Sequence, residues 1–208
     1  MNCRHCEAKL SIKFLDLGNS PPSNAFLPST SLQDREIWYP LRVLVCNSCW
    51  LVQTEDYLKP TDIFVPEYAY FSSISSVFLN HAKNYVQSMI SRFSLNGESL
   101  VAEVAANDGY LLQYLQNNGI PCYGIEPTET AASLAEDRGL EIIRDFFTAK
   151  LATTFTEEGR LVDLAVANNV LAHVPDINDF IKGFNIILKP RGVATFENPH
   201  LLNLIKYK

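Results

Sequence analysis

The chain has 208 residues, 47% hydrophobic and 19% charged, with a formal net charge of −6; that length fits one full-sized domain beside a small one, and that composition excludes a disordered or collagen-like chain. The scattered Lys and Arg lack the basic footprint of a nucleic-acid binder, no stretch approaches the roughly 20 apolar residues of a membrane span, and the polar start Met1-Asn2-Cys3-Arg4 is not a signal peptide. The expectation is a cytoplasmic protein with neither nucleic acid nor membrane as a partner.

Residues 1–60 hold four of the five cysteines with many prolines and aromatics and no long helical period, which predicts a small, loop-rich module. Cys3-x-x-Cys6 and Cys46-x-x-Cys49 are two C-x-x-C pairs. Each resembles a zinc knuckle, in which a tight turn points two thiolates at one ion, and two pairs complete a tetrahedral S₄ shell. With all four positions filled by protein, the zinc is expected to be structural. A redox dithiol is the weaker alternative, because it sits singly at a strand-to-helix junction. His5, inside the first pair, is read as a bystander, and Cys122 as a small core residue.

Residues 61–97 read as a helical linker facing the substrate side. Val77, Phe78, His81, Tyr85, Met89 and Ile90 recur at steps of three to four, the period of a packed helix, and Leu95-Asn96-Gly97 is expected to stop it.

From residue 98 to 208 short apolar runs alternate with helical stretches. The runs are Leu100 to Val104, Cys122 to Ile125, Leu140 to Ile143, Leu161 to Val166 and Gly192 to Phe196. Such alternation predicts βαβ units and a parallel sheet, an α/β fold with its ligand site at the carboxyl ends of the strands.

After the first of these strands, Glu103-Val104-Ala105-Ala106-Asn107-Asp108-Gly109 is a small-residue loop opening a helix. It is not the G-x-G-x-x-G that holds a pyrophosphate, so a cationic nucleoside without phosphate fits better than NAD. Glu103, Ala105, Asn107 and Gly109 are candidates there. Glu126-Pro127 ends the second strand, where a carboxylate can accept both ribose hydroxyls. Asp145 and Phe146 end the third, where an acid and an aromatic suit an adenine ring. Asn168, Asn169 and His173 follow the fourth strand, at the mouth of the same pocket.

Together these residues resemble the sugar C-methyltransferases, which methylate a nucleotide-linked keto-deoxysugar with S-adenosylmethionine. The likeness runs through the cysteine pairs, Ser20-Pro21-Pro22-Ser23-Asn24-Ala25-Phe26, Glu67-Tyr68-Ala69-Tyr70-Phe71-Ser72-Ser73, the Glu103 to Leu112 loop and Asn168-Asn169-Val170-Leu171-Ala172-His173-Val174-Pro175-Asp176. It implies a Rossmann-like class I methyltransferase sheet over residues 98–208, expected to be incomplete at the C-terminus because the usual seven strands would need two more after Phe196, with Glu126 on the ribose, Tyr68 and His173 facing the sugar and Asn169 positioning it. Members of that family continue beyond this length, into a Tyr-x-Glu-His-like segment that by this likeness supplies central catalytic groups including a base, and then a further domain. The expectation is therefore a chain that binds cofactor but transfers little methyl alone, and that associates with a missing C-terminal half or with itself through the edge strand near Val193 to Phe196. A non-catalytic S-adenosylmethionine-binding fragment, or one subunit of a split enzyme, is the alternative. A zinc-ribbon nucleic-acid binder is a third reading, opposed by the charge.

Overall fold

In the computed structural model, which describes residues 1–207, the cysteine-rich segment is built on an antiparallel sheet rather than on loops alone. Strands β1 (Ile12–Ser20), β2 (Tyr39–Val45) and β3 (Val52–Thr54) pair in that order. The register of β1 on β2 shifts between Lys13 and Leu15 and again between Asp16 and Asn19. Such bulges break the period-two alternation that would have marked the strand in sequence.

A four-residue helix, α1 (Pro60–Ile63), leads by an irregular segment to α2 (Ser76–Phe93). Ser75 caps α2, its hydroxyl accepting from the Phe78 amide at 3.2 Å. The helix ends at Ser94, which takes the left-handed conformation itself at φ 53° and ψ 40°, so the stop comes three residues before Gly97. Ala82, Val86 and Met89 form its buried stripe, flanked by Phe78, Tyr85 and Ile90. Val77 is instead 79% exposed, and His81 pairs with Glu197 at 2.7 Å.

Strands and helices then alternate: β4 (Val101–Val104), α3 (Leu112–Asn117), β5 (Cys122–Ile125), α4 (Glu129–Glu136), β6 (Glu141–Ile143), α5 (Ala149–Glu157), β7 (Val162–Asn168), α6 (Ile177–Ile187), β8 (Leu188–Glu197) and α7 (Leu201–Lys206). The sheet order is β6-β5-β4-β7-β8 and all four pairings are parallel. The chain walks outward from β4 to β6, then crosses back to place β7 on the other side of β4. That reversal opens a crevice at the carboxyl ends of β4 and β7.

Apolar layers cover both faces of the sheet. Leu111, Leu112 and Leu115 join the α2 stripe on one face; Phe147, Phe155, Phe180, Phe184 and Ile187 pack on the other. The ring centroids of Phe147 and Phe184 lie 4.9 Å apart, tilted edge to face. Strand β8 is the edge, as its sequence suggested, but it is less open than an unpaired apolar strand would be. Val193, Ala194 and Thr195 are half-buried, and the Tyr85 hydroxyl meets Thr195 Oγ1 at 2.5 Å, so α2 covers one of its faces.

Candidate functional site

The four knuckle cysteines converge. Their Sγ atoms all lie within 4.8 Å of one another, Cys3 to Cys49 and Cys6 to Cys46 both at 3.5 Å. Two matching turns produce this. In the first, the Glu7 amide donates to the Cys3 carbonyl at 3.0 Å and in the second the Trp50 amide donates to that of Cys46 at 3.0 Å. Glu7 and Trp50 have φ of 62° and 64°. This left-handed residue after each pair folds the chain back under its sulfurs, at a cost of about 1 kcal/mol for a non-glycine residue.

Amides face the sulfurs. The Ser48 and Cys49 amides donate to Cys46 Sγ at 3.4 and 3.5 Å, and Gln53 Nε2 donates to Cys3 Sγ at 3.3 Å. Burial alone would push the Cys3 thiol up, but the Cys6 and His5 amides, Gln53 and Cys49 together bring it down to about 6. The amides of Cys49 and Ser48 likewise lower Cys46. Donors that stabilise thiolate, in an all-sulfur tetrahedral set, fit a structural zinc ion with no position left for substrate.

The second site is a cavity of about 680 Å³ at the carboxyl ends of the central strands. Ten of the twelve residues expected at a cofactor or substrate site line it: Tyr68, Ala105, Asn107, Glu126, Pro127, Asp145, Phe146, Asn168, Asn169 and His173. Glu126 is 4% exposed, and its carboxylate accepts from the Asn107 amide at 2.9 Å, the Thr128 amide at 2.9 Å and the Thr128 hydroxyl at 2.5 Å. It thereby ties the ends of β4 and β5 together; Oε1 accepts twice and Oε2 once, so Oε2 keeps a lone pair for a ligand. The Asn168 side-chain oxygen is buried without a partner at the end of β7.

The loop after β4 adopts φ of 59° at Ala105, 50° at Asn107 and 74° at Gly109. It therefore has the backbone path of a glycine-rich turn with only one of the three positions filled by glycine. Asn tolerates this region; Ala is held in it by its surroundings.

Glu103 and Gly109 stand behind the cavity wall rather than on it. Glu103 is 0% exposed, and a Cβ on Gly109 would meet Leu140 Cδ1 at 2.3 Å, so the glycine there serves packing between the loop and α4. Burial pushes the Glu103 carboxyl well above the usual range, with Glu126 and Asp108 adding to the rise and a Tyr110 contact opposing it. Burial thus favours the uncharged form of Glu103, and the acidic side chains lining the cavity itself are Glu126, Asp145, Asp176 and Asp179.

The opposite wall comes from the N-terminal part of the chain. Asn24 Nδ2 donates to the Tyr68 hydroxyl at 2.9 Å. Phe64 stands among Tyr68, Phe146 and His173, with ring centroids 5.2, 6.5 and 6.3 Å away. His173 sits at the cavity mouth, and partial burial lowers its pKa below the ordinary 6.5. Asn107 fastens the segment over the loop: its side chain accepts from the Ser72 amide at 2.7 Å and donates to the Tyr70 carbonyl at 2.9 Å. Sequence reasoning assigned Asn24 and Phe64 no role. Asn24 lies inside the Ser20 to Phe26 motif, which was the available signal; Phe64 carried none.

The arrangement offers two chemically different ends. One, with Glu126, Asp145 and the Asn168 amide around Phe146, suits the hydroxyls, base and positive charge of a nucleoside. The other, with a neutral imidazole, a phenol and the Asn169 amide, suits proton transfer at a carbonyl compound.

Two family models match parts of the chain. Residues 3–64 match a family model described as a zinc binding domain, and residues 78–205 one described as a methyltransferase domain. C-methyltransferase NovU of Streptomyces niveus is 29% identical over 204 residues, 98% of this chain and 48% of NovU. The chain thus spans about half the length of the curated relative it matches. Two solved structures resemble the fold: a Pyrococcus horikoshii OT3 protein, at TM-score 0.52 and 15% identity over 65% of this chain and 61% of that one, and an S-adenosylmethionine-dependent methyltransferase from Clostridium acetobutylicum, at TM-score 0.51 and 16% identity over 62% and 53%.

Proposed function

We propose, from the premise that the chain belongs to the methyltransferase domain family matched by residues 78–205, that it binds S-adenosylmethionine and serves C-methylation of a nucleotide-linked keto-deoxysugar. The observation that carries this reading is the single cavity with a nucleoside-like end at Glu126 and a proton-transfer end at His173 and Tyr68. When bound, S-adenosylmethionine supplies an electrophilic methyl on a sulfonium.

This chain's own groups contribute as follows. Glu126 and Asp145 bind hydroxyls and amino groups and balance positive charge, while Phe146 offers an aromatic face. The lowered pKa of His173 keeps its imidazole neutral near pH 7, ready to accept a proton from a carbon beside a ketone. The Tyr68 hydroxyl and the Asn169 side chain donate to the oxygen on which negative charge develops. That the matched relative is named a C-methyltransferase favours a carbon acceptor.

Calorimetry with S-adenosylhomocysteine, followed by transfer of labelled methyl to a nucleoside-diphosphate-linked keto-sugar, tests the reading. Tight binding with transfer to a sugar carbon is the expected result for the complete activity. Absence of S-adenosylhomocysteine binding would overturn it, and binding without transfer would favour a cofactor-binding part of a larger enzyme.

A further inference from the structure

We infer that Arg4 is a positioning residue, through which the four-cysteine knuckles hold the cavity wall that carries His173. Arg4 lies between two zinc-ligand cysteines but offers no ligand atom of its own. Its side chain is 9% exposed and reaches across to the other domain. Nη1 donates to the Val174 carbonyl at 3.2 Å; Nη2 donates to the Thr54 carbonyl at 3.0 Å and to Asp56 Oδ1 at 2.8 Å. Its backbone amide donates to Gln53 Oε1 at 3.1 Å, and the same Gln53 side chain donates to Cys3 Sγ. The knuckle, strand β3 and the wall are thus joined through one planar fork, a shape that lysine cannot reproduce.

The next residue repeats the connection. His5 Nδ1 and Asn178 Oδ1 are 2.7 Å apart, and Asn178 Nδ2 donates to the His5 carbonyl at 2.8 Å. Two consecutive knuckle residues therefore grip both ends of Val174–Asn178, and Val174, Pro175 and Asp176 line the cavity directly after His173. Val170, Leu171 and Val174 rest on the core and Asp176 accepts from the Asp179 amide at 2.9 Å, but hydrogen bonds within the turn are few: the His173 amide donates to the Val170 carbonyl at 2.8 Å, and the Val174 amide reaches the Leu171 carbonyl at 3.4 Å. The nucleoside end of the cavity does not depend on this grip, because β4, β5 and β7 set Asn107, Glu126 and Asn168. The zinc module therefore shapes the substrate end of the cavity and leaves the cofactor end alone. This draws on the proposed function only in taking the His173 side as the substrate end.

The test uses the zinc-loaded chain and its Arg4→Ala, Arg4→Lys and Asn178→Ala variants. Zinc content should stay at about one ion per chain, and S-adenosylhomocysteine affinity should stay within about twofold, since distant independent sites couple little. The His173 imidazole NMR resonances, assigned with His173→Asn, should shift in Arg4→Ala and Asn178→Ala, and Arg4→Lys should not restore them. Affinity for a nucleoside-diphosphate-linked keto-sugar should fall about tenfold in Arg4→Ala, the loss expected for a charge-assisted hydrogen bond. Unmoved His173 resonances with zinc retained would overturn the inference, and so would loss of zinc from Arg4→Ala, which would confine Arg4 to the knuckle. Shifted resonances with no sugar binding in any variant or in the parent chain would sustain the positioning role and sink the sugar reading instead.

Discussion

The side-chain amide of Asn24 donates to the hydroxyl oxygen of Tyr68 at 2.9 Å, across 44 residues of sequence. With that oxygen occupied as an acceptor, the phenolic proton is left to donate elsewhere, and Tyr68 lines the cavity. Asn24→Ala should therefore mimic Tyr68→Phe: each should weaken binding of the proposed keto-sugar substrate by about 1 kcal/mol, the net worth of a neutral hydrogen bond, and leave S-adenosylhomocysteine affinity unchanged. Isothermal titration of both ligands against both variants checks this; an Asn24→Ala protein indistinguishable from the parent would remove Asn24 from the site.

Glu126→Ala should cost more than a ligand contact. Its carboxylate holds the Asn107 amide and both donors of Thr128, so the variant loses loop order along with affinity. A weakening of S-adenosylhomocysteine binding by about 1.5–3 kcal/mol is expected, with a fall in the unfolding midpoint. Glu126→Gln, which keeps the shape and one acceptor, should lie between parent and Ala variant by both measures.

Glu103→Gln should be nearly silent. Burial raises the carboxyl's pKa and so favours its uncharged form, to which an amide of the same shape is the nearest match. Its unfolding midpoint should stay within about 4 °C of the parent, whereas Glu103→Ala opens a hole in the core and should lose about 2 kcal/mol or more. A large loss in Glu103→Gln would mean that the group is ionised in the folded protein.

His173 titrates below its ordinary 6.5 in the folded chain. The unfolded chain then binds the proton first as pH falls, so the stability tied to this group is present above 6.5 and is lost as pH drops through the lowered value. Substrate binding that needs a neutral imidazole should persist to a pH below 6.5, as read from the His173 NMR titration beside a binding profile. A midpoint above 6.5 would reverse the assignment.

Cys46→Ala should release the metal. The four sulfurs act as one set, so removing one leaves an open three-ligand site, and structural zinc contributes its binding energy to folding. Metal analysis should fall from about one zinc per chain to near zero, with early unfolding of residues 1–60 in hydrogen exchange. Retention of full zinc occupancy in the variant would refute the four-ligand site.

The central strands β4, β5 and β7 were legible because each is a largely apolar, largely buried run, the mark of a strand covered on both faces; the outer strands β6 and β8 showed only in the short apolar stretches Ile142-Ile143 and Val193 to Phe196. Strands β1 to β3 were not, because β1 is exposed along nearly its whole length and interrupted by two bulges, which leaves no alternation to read. The knuckles showed in the spacing of four cysteines, and Glu126, Asn168 and His173 in their place after strands. Glu103 and Gly109 were also placed on the wall by position, but sequence does not show on which side of a backbone a side chain lies: one is turned into the core and the other packed under Leu140. Asn24 and Phe64 reach the cavity, and Arg4 the Val174 carbonyl of its wall, by tertiary folding alone, and no local pattern records that.

The Arg4–Val174 bond joins residues 170 positions apart. At about 5–20 residues per second of synthesis, the first knuckle waits roughly 10–30 s on the ribosome before its partner segment exists. During that interval Cys3, Cys6, Cys46 and Cys49 are already out and can capture metal, so the module is set on its ion before the wall it grips has been made. With zinc at hand during synthesis, Val174–Asn178 meets a finished surface as it emerges.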